Sequence, residues 1–100
     1  MLKSGSRWRS QVCDTEIIVV RPDDGVKLGC GGHPMVPVGE TPAPGLHIRP
    51  DLSAGTQLGK RYTNSRGVLE VLVTRPGAGT LTDGDEPLVF KPVRQLPASD

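Results

Sequence analysis

The stretch Thr15-Glu16-Ile17-Ile18-Val19-Val20-Arg21, followed by Pro22-Asp23-Asp24-Gly25 and Val26-Lys27-Leu28-Gly29-Cys30, reads as two apolar runs separated by turn formers. Side chains branched at Cβ suit a pleated surface, and proline with glycine between two such runs marks a tight reversal. The pattern predicts a β-hairpin in which Val19 faces Leu28 and Ile17 faces Cys30. One face then carries Ile17, Val19, Val26, Leu28 and Cys30, the expected core side.

Working outward, Val68-Leu69-Glu70-Val71-Leu72-Val73-Thr74 is the strongest strand of the second half. Arg75-Pro76-Gly77-Ala78-Gly79 turns the chain into Thr80-Leu81-Thr82, and Asp83-Gly84-Asp85-Glu86-Pro87 turns it again into Leu88-Val89-Phe90-Lys91. Short strands between turn signals predict an all-β, mostly antiparallel fold, a small barrel or sandwich of about five or six strands. Between the two strand-rich blocks, residues 31–55 hold Pro34, Pro37, Pro42, Pro44 and Pro50 among glycines. Proline cannot donate to a strand ladder, so this segment is expected as a long Pro/Gly-rich loop with a brief strand at Leu46-His47-Ile48. Ser53 to Leu58 is expected to form one helical turn. A single domain is expected over residues 1–92, with residues 93–100 an extended tail.

The chain has 100 residues, 35% of them hydrophobic, and its only aromatics are Trp8, Tyr62 and Phe90. A core built largely from valines is thin, which favours a partner that covers part of it. Twelve basic and eleven acidic residues leave a formal charge of +1, too small to steer the chain to nucleic acid or an anionic membrane. The segment Lys60-Arg61-Tyr62 through Arg66 is therefore read as surface charge rather than an RNA stripe. No apolar run approaches the roughly 18 residues of a membrane span, and no apolar leader follows Met1. A cytoplasmic location is expected, with the two cysteines reduced.

The densest chemical signal is Cys30-Gly31-Gly32-His33-Pro34. A Cys and a His two residues apart can reach one metal, and the glycines let the backbone fold sharply between them. Cys13, Cys30, His33 and His47 are all the cysteines and histidines of the chain, the inventory of a tetrahedral zinc site, or of an iron site. The predicted hairpin register opposes this set. It offsets Cys13 from Cys30 by roughly 13 Å, beyond the reach of a disulfide, and brings Asp14 across from His33. Cys30 also fits an ordinary small core residue, and His33 fits a loop-carbonyl hydrogen bond.

Three functions are compatible with these residues. The first is a non-enzymatic accessory subunit that binds another protein or self-associates, with Trp8 and Met35 as contact residues. The second is a small metalloprotein holding zinc or iron at Cys13, Cys30, His33 and His47. The third is a thiol-dependent enzyme using Cys30 with His33, disfavoured because so small a domain has little room for a substrate pocket.

Overall fold

Strand β2 (Glu16–Arg21) buries Ile17 and Val19 and turns Ile18 and Val20 away, the alternation of a half-covered sheet. Its neighbour β7 (Glu70–Arg75) does the same with Val71 and Val73, and the two run antiparallel with Ile18 opposite Leu72. Around this pair a six-stranded sheet grows outward in both directions. Strand β1 (Arg7–Arg9) and then β5 (Val36–Pro37) lie beyond β2, while β6 (Arg61–Thr63) and then β10 (Val89–Phe90) lie beyond β7. A second, four-stranded sheet has β3 (Leu28–Cys30) and β8 (Leu81–Asp83) at its centre, flanked by β4 (His33–Pro34) and β9 (Glu86–Pro87). The structure, a computed structural model, describes residues 2–91.

The two sheets form a sandwich-like, almost wholly antiparallel fold, and the barrel is not closed. One hydrophobic core unites Ile17, Val19, Val71 and Val73 with Leu28, Cys30, Met35, Leu81 and Leu88. Each fully buried Val or Leu contributes roughly 1.5–3 kcal/mol against exposure, and Tyr62 is the one aromatic buried in the same core among the described residues. The five residues expected on the core side are all buried.

Their partners differ from the expected hairpin. β2 and β3 do not pair: β2 lies between β1 and β7, and β3 between β4 and β8. Pro22 and the residues after it carry the chain from one sheet to the other, so a turn signal between apolar runs marked a change of layer. Ten short strands replace the five or six expected among the described residues. Two of them, β1 and β6, lie in arginine-containing segments whose charge hid a strand pattern of only three residues.

The arrangement is internally two-fold. Glu16-Ile17-Ile18-Val19-Val20-Arg21-Pro22 returns as Glu70-Val71-Leu72-Val73-Thr74-Arg75-Pro76, each followed by a leucine-led strand, a glycine turn and a proline. Accordingly β1–β5 and β6–β10 repeat one topology, and each sheet reads the same from either end. The registers agree residue for residue. Arg7 pairs with Ile18 as Arg61 pairs with Leu72, and Glu16 opposite Arg75 is matched by Arg21 opposite Glu70. Backbone bonds outside the strands repeat too: Gly31 N–H donates to Thr80 while Gly84 N–H donates to Lys27. Gly31 and Gly84 hold the same left-handed turn conformation, φ 65° and 61°, at which a side chain is strained. On the pseudo-axis of the smaller sheet Gly29 faces Thr82, whose Oγ1 would lie 2.9 Å from any added Cβ.

Residues 31–55 are ordered by contacts within the chain. Gln11 clasps the segment twice, its Nε2 donating to the Pro34 carbonyl at 2.7 Å and its Oε1 accepting from the Ala43 amide at 3.0 Å. The Arg49 amide donates to the Gly31 carbonyl at 2.9 Å. Leu46-His47-Ile48 forms no strand, and the helical turn lies at Pro50–Leu52 rather than over residues 53–58. Proline at the start of that turn suits its fixed φ and absent donor. The expected tail at residues 93–100 lies outside the described residues.

Candidate functional site

Ser10 closes β1 and starts the loop that carries Cys13. Its buried hydroxyl accepts the backbone amides of Val12 at 3.1 Å and Cys13 at 3.2 Å, a local cap that fixes the loop. The loop returns at Thr15, whose carbonyl accepts the Ser10 amide at 2.9 Å. Cys30 ends β3 and points into the core at 0% exposure. With β3 in the second sheet rather than hairpinned to β2, the two sulfurs meet across the sandwich. Cys13 Sγ and Cys30 Sγ are 3.8 Å apart. The 13 Å offset expected from the hairpin register is therefore overturned.

The third wall of this site is the turn between β7 and β8. The Gly79 amide donates to Cys13 Sγ at 3.3 Å. A Cβ at Gly79 would lie 2.9 Å from Cys30 Sγ and 3.2 Å from Cys13 Sγ, so a side chain there would force Cys30 Sγ to shift and would press on Cys13 Sγ. Thr15 Oγ1 stands 3.3 Å from Cys13 Sγ and 2.9 Å from Thr56 Oγ1, and the Gly77 amide donates to Thr56 Oγ1 at 2.9 Å. These hydroxyls tie the turn to the thiol loop.

The two thiols are electrostatically unequal. A hydrogen bond from the Cys30 thiol, opposed by burial and helped by the Ser10 and Thr15 groups, holds the Cys13 thiol well below its ordinary range. The same pairing pushes Cys30 up, because ionising it would break its bond to Cys13, and burial and the Cys13 charge add to this. The pairing thus favours the thiolate at Cys13 and the thiol at Cys30.

The histidines lie apart from the sulfurs. His33 pairs with Cys30 in the β3–β4 ladder, but its Nε2 is 2.9 Å from the His47 carbonyl oxygen, which orders the proline-rich segment. The exposed His47 contributes its backbone to that bond. No group of three or more His, Cys, Asp or Glu side chains gathers as a metal site among the described residues. Of the four expected ligands the fold brings together Cys13 and Cys30.

Trp8 is half-buried against the core, with its indole N–H donating to Ser6 Oγ at 3.0 Å, and it lines a cavity of about 450 Å³ with Leu2, Val26 and Leu28. Met35 is 5% exposed and belongs to the core.

The corresponding place in the second half of the chain is closed by different chemistry. Asn64 stands for Ser10 and Asp83 for Cys30. Asn64 Oδ1 accepts the amides of Val68 at 3.0 Å and Leu69 at 3.3 Å, and its Nδ2 donates to Asp83 Oδ2 at 3.2 Å. One half thus holds a thiol pair and the other a hydrogen-bonded amide–carboxylate pair. Comparison of the chain with protein-family models, curated proteins and solved structures finds no match. Among the described residues no helix is long and apolar enough to cross a membrane.

Ser10, Thr15 and Gly79 were absent from the sequence-based candidates. Serine, threonine and glycine at isolated positions carry no motif, and only the tertiary approach of β3, the Cys13 loop and the β7–β8 turn gives them a shared task. A signal did exist in the recurrence of Glu-x-x-Val-x-Arg-Pro at Glu16 and Glu70 and, after an interval one residue shorter in the second copy, of Leu-x-x-Gly-x-x-Pro at Leu28 and Leu81, which sets Cys30 against Asp83.

Proposed function

We propose that this chain is a thiol redox protein in which Cys13 and Cys30 form one reversible dithiol–disulfide couple. The carrying observation is the 3.8 Å approach of the two sulfurs. A disulfide needs about 2.05 Å between sulfurs, which short side-chain movements supply when the carriers already face each other. The donors around Cys13 favour the thiolate needed for exchange. The reading uses two sulfurs alone and leaves His33 to its loop bond. In a reducing compartment such as the cytoplasm the resting form is the dithiol. Equilibration of the full chain in defined dithiothreitol buffers, read by the mass difference of alkylated species, tests it. A single two-electron transition is expected, and a chain that never forms the intramolecular bond overturns it.

A second reading, an accessory module that binds another protein or a second copy, is favoured by β10. Among the described residues this strand is the outermost of its sheet and exposes Val89 by 56% and Phe90 by 49%, with the Phe90 ring 5.0 Å from that of Tyr62. An exposed apolar edge is a template for another strand. Sedimentation of the wild type against Phe90→Asp tests it: a concentration-dependent mass removed by the substitution supports self-association.

A further inference from the structure

Building on the redox reading, we infer that Cys13 attacks a hydroperoxide and that Cys30 resolves the resulting sulfenic acid. Accessibility assigns the order. Cys13 sits half-buried on a surface loop, whereas Cys30 is 0% exposed behind it, so an oxidant from solvent meets Cys13 first.

The surroundings of Cys13 select a small oxidant. A disulfide on a folded partner must bring its own backbone up to the half-buried Cys13, whereas a small oxidant reaches it alone. Here one side of Cys13 is taken by Cys30, another by the Gly79 amide and a third by Thr15, all within 3.8 Å. Even a methyl group at Gly79 would displace the Cys30 sulfur and crowd that of Cys13. A hydroperoxide presents two oxygens and needs only donors for the one that leaves. Thr15 Oγ1, 3.3 Å from Cys13 Sγ and 2.9 Å from Thr56 Oγ1, carries a rotatable hydroxyl proton within reach of an oxygen leaving from Cys13.

The steps balance. The Cys13 sulfur attacks the terminal oxygen of ROOH, the O–O bond breaks, and the alkoxide leaves with the proton Cys13 gave up, as ROH. Cys30 then attacks the sulfur of the sulfenic acid. The S–S bond forms, the S–O bond breaks, and the departing hydroxide takes the Cys30 proton as water. Two electrons pass from the dithiol to the peroxide, giving disulfide, alcohol and water. Oxidation of Cys13 removes the charge and the acceptor that hold the Cys30 proton, so Cys30 gives that proton to the departing hydroxide as its sulfur attacks.

The test uses the reduced full chain, hydrogen peroxide as the probe and dimedone as the sulfenic-acid trap. Cys30→Ser should accumulate one dimedone adduct on Cys13, while wild type loses two thiols per peroxide with little adduct. Peptide mapping of wild type at limiting peroxide places the first oxidation without any variant. Loss of Cys13 thiol should run at least about tenfold faster than for free cysteine, the margin expected when a thiolate is stabilised at neutral pH. A first adduct on Cys30, or a rate no faster than free cysteine, overturns the inference. If glutathione disulfide nonetheless forms the Cys13–Cys30 bond, the couple stands and only the hydroperoxide step falls. If neither oxidant forms it, the redox reading falls as well.

Discussion

The Gly79 amide and the Cys13 sulfur are joined at 3.3 Å across a long stretch of sequence, and the same glycine lies where any side chain would strike Cys30. The approach of the two thiols therefore depends on an absent methyl group. Gly79→Ala should separate the sulfurs and cost about 1–3 kcal/mol through overpacking. Urea unfolding measures the second effect, and slower closure of the Cys13–Cys30 bond measures the first. A variant with unchanged stability and closure contradicts the crowding argument.

The unequal thiols predict a stability maximum in pH. Cys13 is depressed in the folded chain, so its contribution is present above the unfolded thiol value of about 8.5 and diminishes as pH falls below it. Cys30 is raised, so its contribution is full below that value and is lost as pH climbs past it. Stability of the reduced chain should rise toward about pH 8.5 and fall beyond, with Cys30→Ser removing the falling limb. Denaturant midpoints between neutral and alkaline pH check this.

Glu70 governs the acid limb. It is 5% exposed and held by Arg61 at 2.9 Å and by Lys91, and the Lys91 hydrogen bond, then Arg61, lowers its carboxyl against the opposing effect of burial. A lowered carboxylate stabilises above its unfolded value of about 4.3, and that stability is lost as pH falls through the folded value. Glu70→Gln should flatten the loss of stability below about pH 4.3, while Glu70→Ala should cost about 1–3 kcal/mol at neutral pH.

Gln11 is expected to set the order of the proline-rich segment. Gln11→Ala removes both clasps and should cost about 1–2 kcal/mol, with faster hydrogen exchange at the Ala43 amide. The Cys13–Cys30 bond should form as before, since neither sulfur touches Gln11.

Asn64 tests the internal two-fold. It is 2% exposed and satisfies two amides and a carboxylate, so Asn64→Ala should destabilise by about 1–3 kcal/mol. Asn64→Ser, the residue of the matching position Ser10, should recover part of that loss. Thermal unfolding of the two variants compares them.

The sequence by itself determined the class of fold and most of the core. Alternating β-branched runs at Ile17 to Val20 and Val71 to Val73 can bury a face only as strands, and the turn formers between runs mark where strands stop. It also singled out both cysteines. Which strands pair was decided by the tertiary structure, because alternation shows which face is buried and not what covers it. Pro22 to Gly25 is compatible with a hairpin and with a crossing between sheets, and the choice fell to β2 and β7, whose two copies of one pattern complete each other across a pseudo-two-fold axis. That pairing placed β3 in the opposite layer and brought Cys30 within 3.8 Å of Cys13. A contact between residues remote in sequence is made by the packing of layers, and it leaves no local pattern from which it can be read.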